Sequence, residues 1–171
     1  KILFNIIYMI EGTTLIYADN ESYVLEPNDM ILFLPQAIHS IHATTNLPSK
    51  YYVLKFDVNQ LAPSANSSGS TFSGIHFNSL FQLAKTSPDA PTYLPADVLQ
   101  GFPIQSLLED CINELKGQEY GYRIMAQSHI NTLLTYVLRL WRADGFDTDR
   151  SLAMPHQDDS IHSITEYIDA H

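Results

Sequence analysis

Residues 28–39, NDMILFLPQAIH, are the stretch on which the reading of the whole chain turns. An apolar run, Met30 to Leu34, is bracketed by Pro27-Asn28-Asp29 before it and Pro35-Gln36 after it. So short a run between turn signals reads as a buried strand rather than a helix. Asn28 occupies the turn, where Asn is the best non-glycine residue at positive φ. Pro35 brakes the chain, and His39 opens the next strand.

Upstream, LFNIIYMI (3–10) runs into a turn at Glu11-Gly12, and TTLIYA (13–18) and SYVLE (22–26) flank Asp19-Asn20 as a hairpin. Adding 30–34, 39–45 and 50–58 gives evenly spaced strands with turn signals between them, the pattern of an all-β barrel or jelly roll. Residues 60–74 are rich in Ser, Gly and Asn and read as a surface loop, 77–85 as a short helix. Prolines 88, 91 and 95 bracket Thr92-Tyr93-Leu94, a last short strand at the sheet edge, where proline is tolerated.

The second layer is helical. Pro103 starts a helix in which Ile104, Leu107, Leu108, Cys111, Ile112 and Leu115 form one apolar stripe ending near Gly117. A second helix, Tyr122 to Ala143, carries Ile130, Leu133, Leu134, Val137, Leu138 and Trp141 on the same template. A short Gly-containing turn joins them as an antiparallel hairpin against the barrel. Met125, Tyr136 and Leu140 lie off the main stripe, surface that either packs on the same chain or meets a second subunit. Residues 145–160 read as a linker, and Ile161, Ile164 and Ile168 lie on one face of a further helix.

A chain of 171 residues with 45% hydrophobic content can bury one real core. Nineteen acidic residues against nine basic ones give a net charge of −10, which repels phosphate backbones, so this segment alone is not expected to hold nucleic acid. The single Cys111 excludes a disulfide framework or a cysteine zinc cluster within one chain. No apolar run approaches the ~18 residues that span a bilayer. The expected location is the cytoplasm, with no membrane partner. The chain opens at Lys1 inside a strand pattern, so further residues are expected before it.

The order acidic turn, strand, Pro-rich loop, His resembles the second cupin motif as it stands in sugar-sensing bacterial transcription regulators of the AraC type. Asp29, Pro35 and His39 match it, and Asn28 and Gln36 replace its glycines. Asn5 stands seven residues before Gly12, the interval separating the metal-binding Glu of the first cupin motif from its Gly. That Glu is absent here, as is the His-x-His that precedes it. The stretch Ile161-x-x-Ile164-x-x-Tyr167-Ile168 resembles the opening of these regulators' DNA-binding domain. The resemblance implies a mainly β fold with α: a cupin-like effector-binding barrel over 1–96, a dimerising helical hairpin over 97–145, a linker over 146–160 and the start of a truncated DNA-binding domain over 161–171. It implies no enzyme and no cofactor, but a homodimer that senses a small polar effector, for example a sugar, and reaches DNA only through the missing domain. The alternative is a metal-dependent cupin enzyme, an isomerase or oxygenase.

Strand parity nominates the ligand-binding residues. If Asn5 faces the lumen, so do Ile7, Met9 and Glu11; if His39 does, so does Ile41, while His42 turns to the other face. On 50–58, Tyr52, Leu54 and Phe56 suit packing under helices, leaving Tyr51, Val53 and Lys55 for the pocket. Glu11 and Lys55 have a blander reading as solvent-facing charges near strand ends, and Tyr51 as plain core. His39 lacks the partners that a transition metal needs and is read as a hydrogen-bonding pocket residue. Tyr136 and Leu140 are nominated for the dimer interface.

Overall fold

A computed structural model describes residues 3–18, 20–35, 37–44, 48–57 and 92–145. The expected loop at 60–74, helix at 77–85, linker at 146–160 and helix from 161 lie outside the described residues.

The strands are β1 (Leu3–Glu11), β2 (Thr14–Ala18), β3 (Glu21–Leu25), β4 (Met30–Phe33), β5 (His39–Ala43), β6 (Lys50–Asp57) and β7 (Tyr93–Leu94), followed by α1 (Ile104–Gly117) and α2 (Tyr122–Ala143). They form two antiparallel sheets, ordered β6-β1-β4-β7 and β3-β2-β5. The fold is thus mainly β, a cupin-like sandwich followed by a helical hairpin. β7 lies at the sheet edge beside β4, and Pro95 follows it just beyond the paired residues, so it removes no ladder bond. Asn28 has φ 73° and Gly12 φ 74°, so both turns use the left-handed region. At Gly12 a Cβ would also stand 3.0 Å from the Pro48 carbonyl oxygen, so a side chain is disfavoured both by the backbone and by its neighbour.

Strand alternation divides the core in two. Phe4, Ile6 and Tyr8 of β1, Met30 and Leu32 of β4 and Phe56 of β6 pack under the helices with Ile104, Leu108, Ile130, Leu134 and Trp141. Ile7 and Met9, on the other face of β1, pack against Ile16, Leu25, Ile31 and Phe33 between the two sheets. β1 and β4 are therefore buried on both faces, which explains why β4 reads as an uninterrupted apolar run. The helices follow their predicted stripes, except that Leu115, at the end of the first stripe, is 47% exposed.

Candidate ligand-binding site

The inner faces of the sheets form cross-strand rows. One row of the larger sheet is Lys55–Asn5–Phe33, set by the pairing of Asn5 with both β6 and β4. His39, from the opposite sheet, lies flat on Phe33 with ring centroids 4.0 Å apart. Asn5, His39 and Lys55, 50 residues apart in sequence at their extremes, thus come to one level of the sandwich, joined by Phe33. The next row is Val53–Ile7–Ile31–Tyr93, faced by Ile41–Ile16–Tyr23 of the other sheet. Tyr23 and Tyr93 meet at 5.4 Å and close that side of the sandwich.

Among the described residues the opposite side is open. β5 and β6 are edge strands, and their inward residues Ile41 and Val53 remain 38% and 45% exposed. Tyr51 is half-buried against the inner cluster, with Tyr52 and Leu54 turned under the helices. Lys55 is exposed on the inner face. The Asn5 side-chain carbonyl oxygen is buried and has no hydrogen-bond partner among the described residues. Burying such an acceptor unpaired costs ~1–3 kcal/mol, so it is a group in want of a donor.

His39 Nδ1 stands 3.3 Å from the Ala37 carbonyl oxygen. A proton on Nδ1 donates to that oxygen and leaves Nε2 as an acceptor. His42 turns outward, bonding Ser40 Oγ through Nε2 at 2.9 Å and meeting the Tyr17 ring edge-on. A cavity of about 560 Å³ lies at the His39 end, lined also by Ala18, Asn20 and Glu21. A second, of about 480 Å³, runs along Lys55 between β6 and the hairpin, against Leu54, Phe56, Arg123 and Ile130.

Glu11 departs from the parity expectation. A β-bulge between Met9 and Glu11 sets Glu11 opposite Lys50 rather than Ser49, so it leaves the inner row and stands exposed. Tyr136 and Leu140 are half-buried against the helical core, and the Tyr136 ring meets Phe102 at 4.9 Å, so the same chain already covers part of this surface. Among the described residues no group of three or more His, Cys, Asp or Glu side chains is placed to hold a metal. Asn5, at the position where the resemblance places a metal-binding Glu, is a poor metal ligand.

Parity reasoning missed the polar anchor of the site. Asp29, 4% exposed, accepts hydrogen bonds from the Glu26 N–H at 2.8 Å, the Tyr93 hydroxyl at 2.9 Å and the Ala96 N–H at 2.8 Å. Burial, then the hydrogen bond to Asp29, pushes the Tyr93 phenol up to about 12. The carboxylate fastens the β3–β4 turn to the segment leading into α1, and the Tyr93 ring forms part of the inner wall. The acid at the turn was visible as Asp29; its burial and its partners, 64 and 67 residues on, were not.

A sandwich with one open seam, polar groups converging on its inner face and a helical hairpin on its back defines a small-molecule-binding module. The model of the AraC-like ligand binding domain matches residues 3–134, and the chain belongs to that family. This is a regulatory sensing domain, and a small-molecule effector is what it takes. A search of curated proteins returned no matching relative. No helix among the described residues is long and apolar enough to cross a membrane.

Proposed function

We propose that this chain is the effector-binding and dimerisation part of a bacterial AraC-type transcription regulator, not an enzyme, with a small polar effector entering between β5 and β6. Asn5, Ile7, His39, Ile41, Tyr51, Val53 and Lys55 line that seam; Glu11 stands outside it. The observation that carries the reading is the double duty of β6. Its residues 51, 53 and 55 face the seam, while Tyr52, Leu54 and Phe56 hold the helices, with the Tyr52 hydroxyl donating to Glu109 of α1 at 3.1 Å. A ligand that draws β5 and β6 together therefore moves the floor of the hairpin.

The mechanism is a population shift: the effector favours one arrangement of hairpin and dimer, and so changes how attached DNA-binding domains sit on paired half-sites. On this reading the barrel spans 1–96 and the hairpin 97–145, with α2 contributing Tyr136 and Leu140 to a two-fold interface; 146–160 is the linker, 161–171 begins the DNA-binding part, and the protein works in the cytoplasm. Against a metal-dependent enzyme stands Asn5, a poor metal ligand where the resembling motif carries Glu.

Thermal melts of the chain against a panel of sugars, sugar acids and amino sugars test the proposal. At least one compound is expected to raise the melting temperature. His39→Ala and Tyr51→Phe should each weaken it by the ~1–3 kcal/mol of one lost hydrogen-bond partner. Unchanged affinity in both variants would place the effector elsewhere. Turnover by a protein carrying stoichiometric iron, manganese, nickel or zinc would overturn the reading.

A further inference from the structure

We infer that the effector is a hydroxylated acid, carrying a carboxylate and at least one neighbouring hydroxyl, rather than a neutral sugar. This rests on the effector reading above and adds the chemical class of the ligand. In a chain of net charge −10, the charged side chains among the described residues of the two inner faces are Lys55, Asp57 and Glu21. Asp57 is already engaged by an interaction of its own. Glu21 belongs to β3, the strand farthest from the open seam. Among the described residues, Lys55 is the charged side chain on the seam, and no described hydrogen bond or ion pair occupies it.

Its register neighbour is Asn5, whose buried carbonyl oxygen has no donor. Residues directly opposite on one face hold their Cβ atoms roughly 5 Å apart, within reach of a single small molecule. The ammonium does not serve the Asn5 oxygen, so a free cation and a free acceptor stand side by side. A carboxylate satisfies the first and an adjacent hydroxyl the second. Val53, 45% exposed in the next row, supplies an aliphatic bed for the carbon skeleton. A neutral polyol would leave Lys55 without an anion. An apolar acid would leave the Asn5 oxygen without a donor. Only a molecule with both groups answers both.

The test uses the whole chain and matched probes: glucuronate and galacturonate, with lactate and tartrate as smaller hydroxy acids, against glucose and galactose and against hexanoate. Affinities are read by calorimetry and thermal shift. Hydroxylated acids should bind about tenfold tighter than either control class, as expected for one charge-assisted hydrogen bond. Raising salt from about 50 to about 500 mM should erode the preference over neutral sugars. Lys55→Met should erase that preference, and Asn5→Leu should erase the preference over hexanoate. Lys55→Gln, at the same exposed position, guards against a folding defect in the first variant. Should a neutral sugar bind wild type as tightly as its uronate, or Lys55→Met and Lys55→Gln both leave the ratio unchanged, the inference falls while the effector reading stands. Should no probe of any class bind the wild type, both fall together.

Discussion

Replacing Tyr93 by Phe removes a single hydroxyl from a buried carboxylate, and the surrounding geometry sets the size of the effect. Asp29 is 4% exposed and receives three donors, from Glu26, Tyr93 and Ala96, at 2.8–2.9 Å. A hydrogen bond to an ionised acceptor contributes ~1.5–3 kcal/mol, so Tyr93→Phe should cost about that much. Asp29→Ala leaves the Tyr93 hydroxyl and two backbone N–H groups without their acceptor, at ~1–3 kcal/mol for each group that stays dry. With partial rehydration the sum should be roughly 3–5 kcal/mol, large for one substitution but within the 5–15 kcal/mol of a typical domain. In the Asp29→Ala background the phenol has lost its acceptor, so adding Tyr93→Phe should cost less than about 0.5 kcal/mol. Urea unfolding of the four proteins closes the cycle. Trp141, the single tryptophan and fully buried, reports the unfolding of the helical layer by fluorescence, and circular dichroism reports the sheets. Equal costs of Tyr93→Phe in both backgrounds would show that the two side chains act independently, and the account of how β7 is held would be wrong.

The same phenol makes stability depend on alkali. Its folded-state value is raised from 10.0 to about 12, first by burial and then by Asp29, so its contribution is complete below pH 10 and is lost as pH rises through that window. Tyr93→Phe should flatten this part of the stability profile; an unchanged slope would assign it to other tyrosines. Gly12→Ala adds a Cβ at φ 74° and 3.0 Å from the Pro48 carbonyl, and should cost at least ~1–2 kcal/mol by urea denaturation. Leu134→Ala opens a cavity beneath α2, where Leu134 is fully buried, at ~2–5 kcal/mol. Leu140→Glu tests the proposed assembly: sedimentation should change from dimer to monomer while circular dichroism stays native, and a dimer surviving the change would move the interface to another face.

Much of this architecture was legible in the chain because its signals are local. The predicted limits of α2, Tyr122 to Ala143, coincide with the helix itself, since a 3.6-residue apolar period is written along one element. Period two likewise put Tyr51 and Tyr52 on opposite faces of β6 and sent His39 and His42 to opposite sides of β5. The left-handed turn at Asn28 agrees with the glycine that the resembling motif carries there, a conformation Asn tolerates.

What depends on two distant segments meeting was decided only in three dimensions. Parity carried Glu11 inward, but one extra residue in the ladder after Met9 reversed its face, and a bulge leaves no periodic trace. The sequence determined that Asn5 and Lys55 are polar residues on apolar strands. That they are register partners, with a buried oxygen left unserved between them, came from the pairing of β1 with β6. The link from Asp29 to Tyr93 spans 64 positions and joins a turn to a two-residue strand. Side-chain periodicity is a property of one strand, whereas register and hydrogen-bond partners belong to the pair of strands that form them, and only the folded chain brings those pairs together.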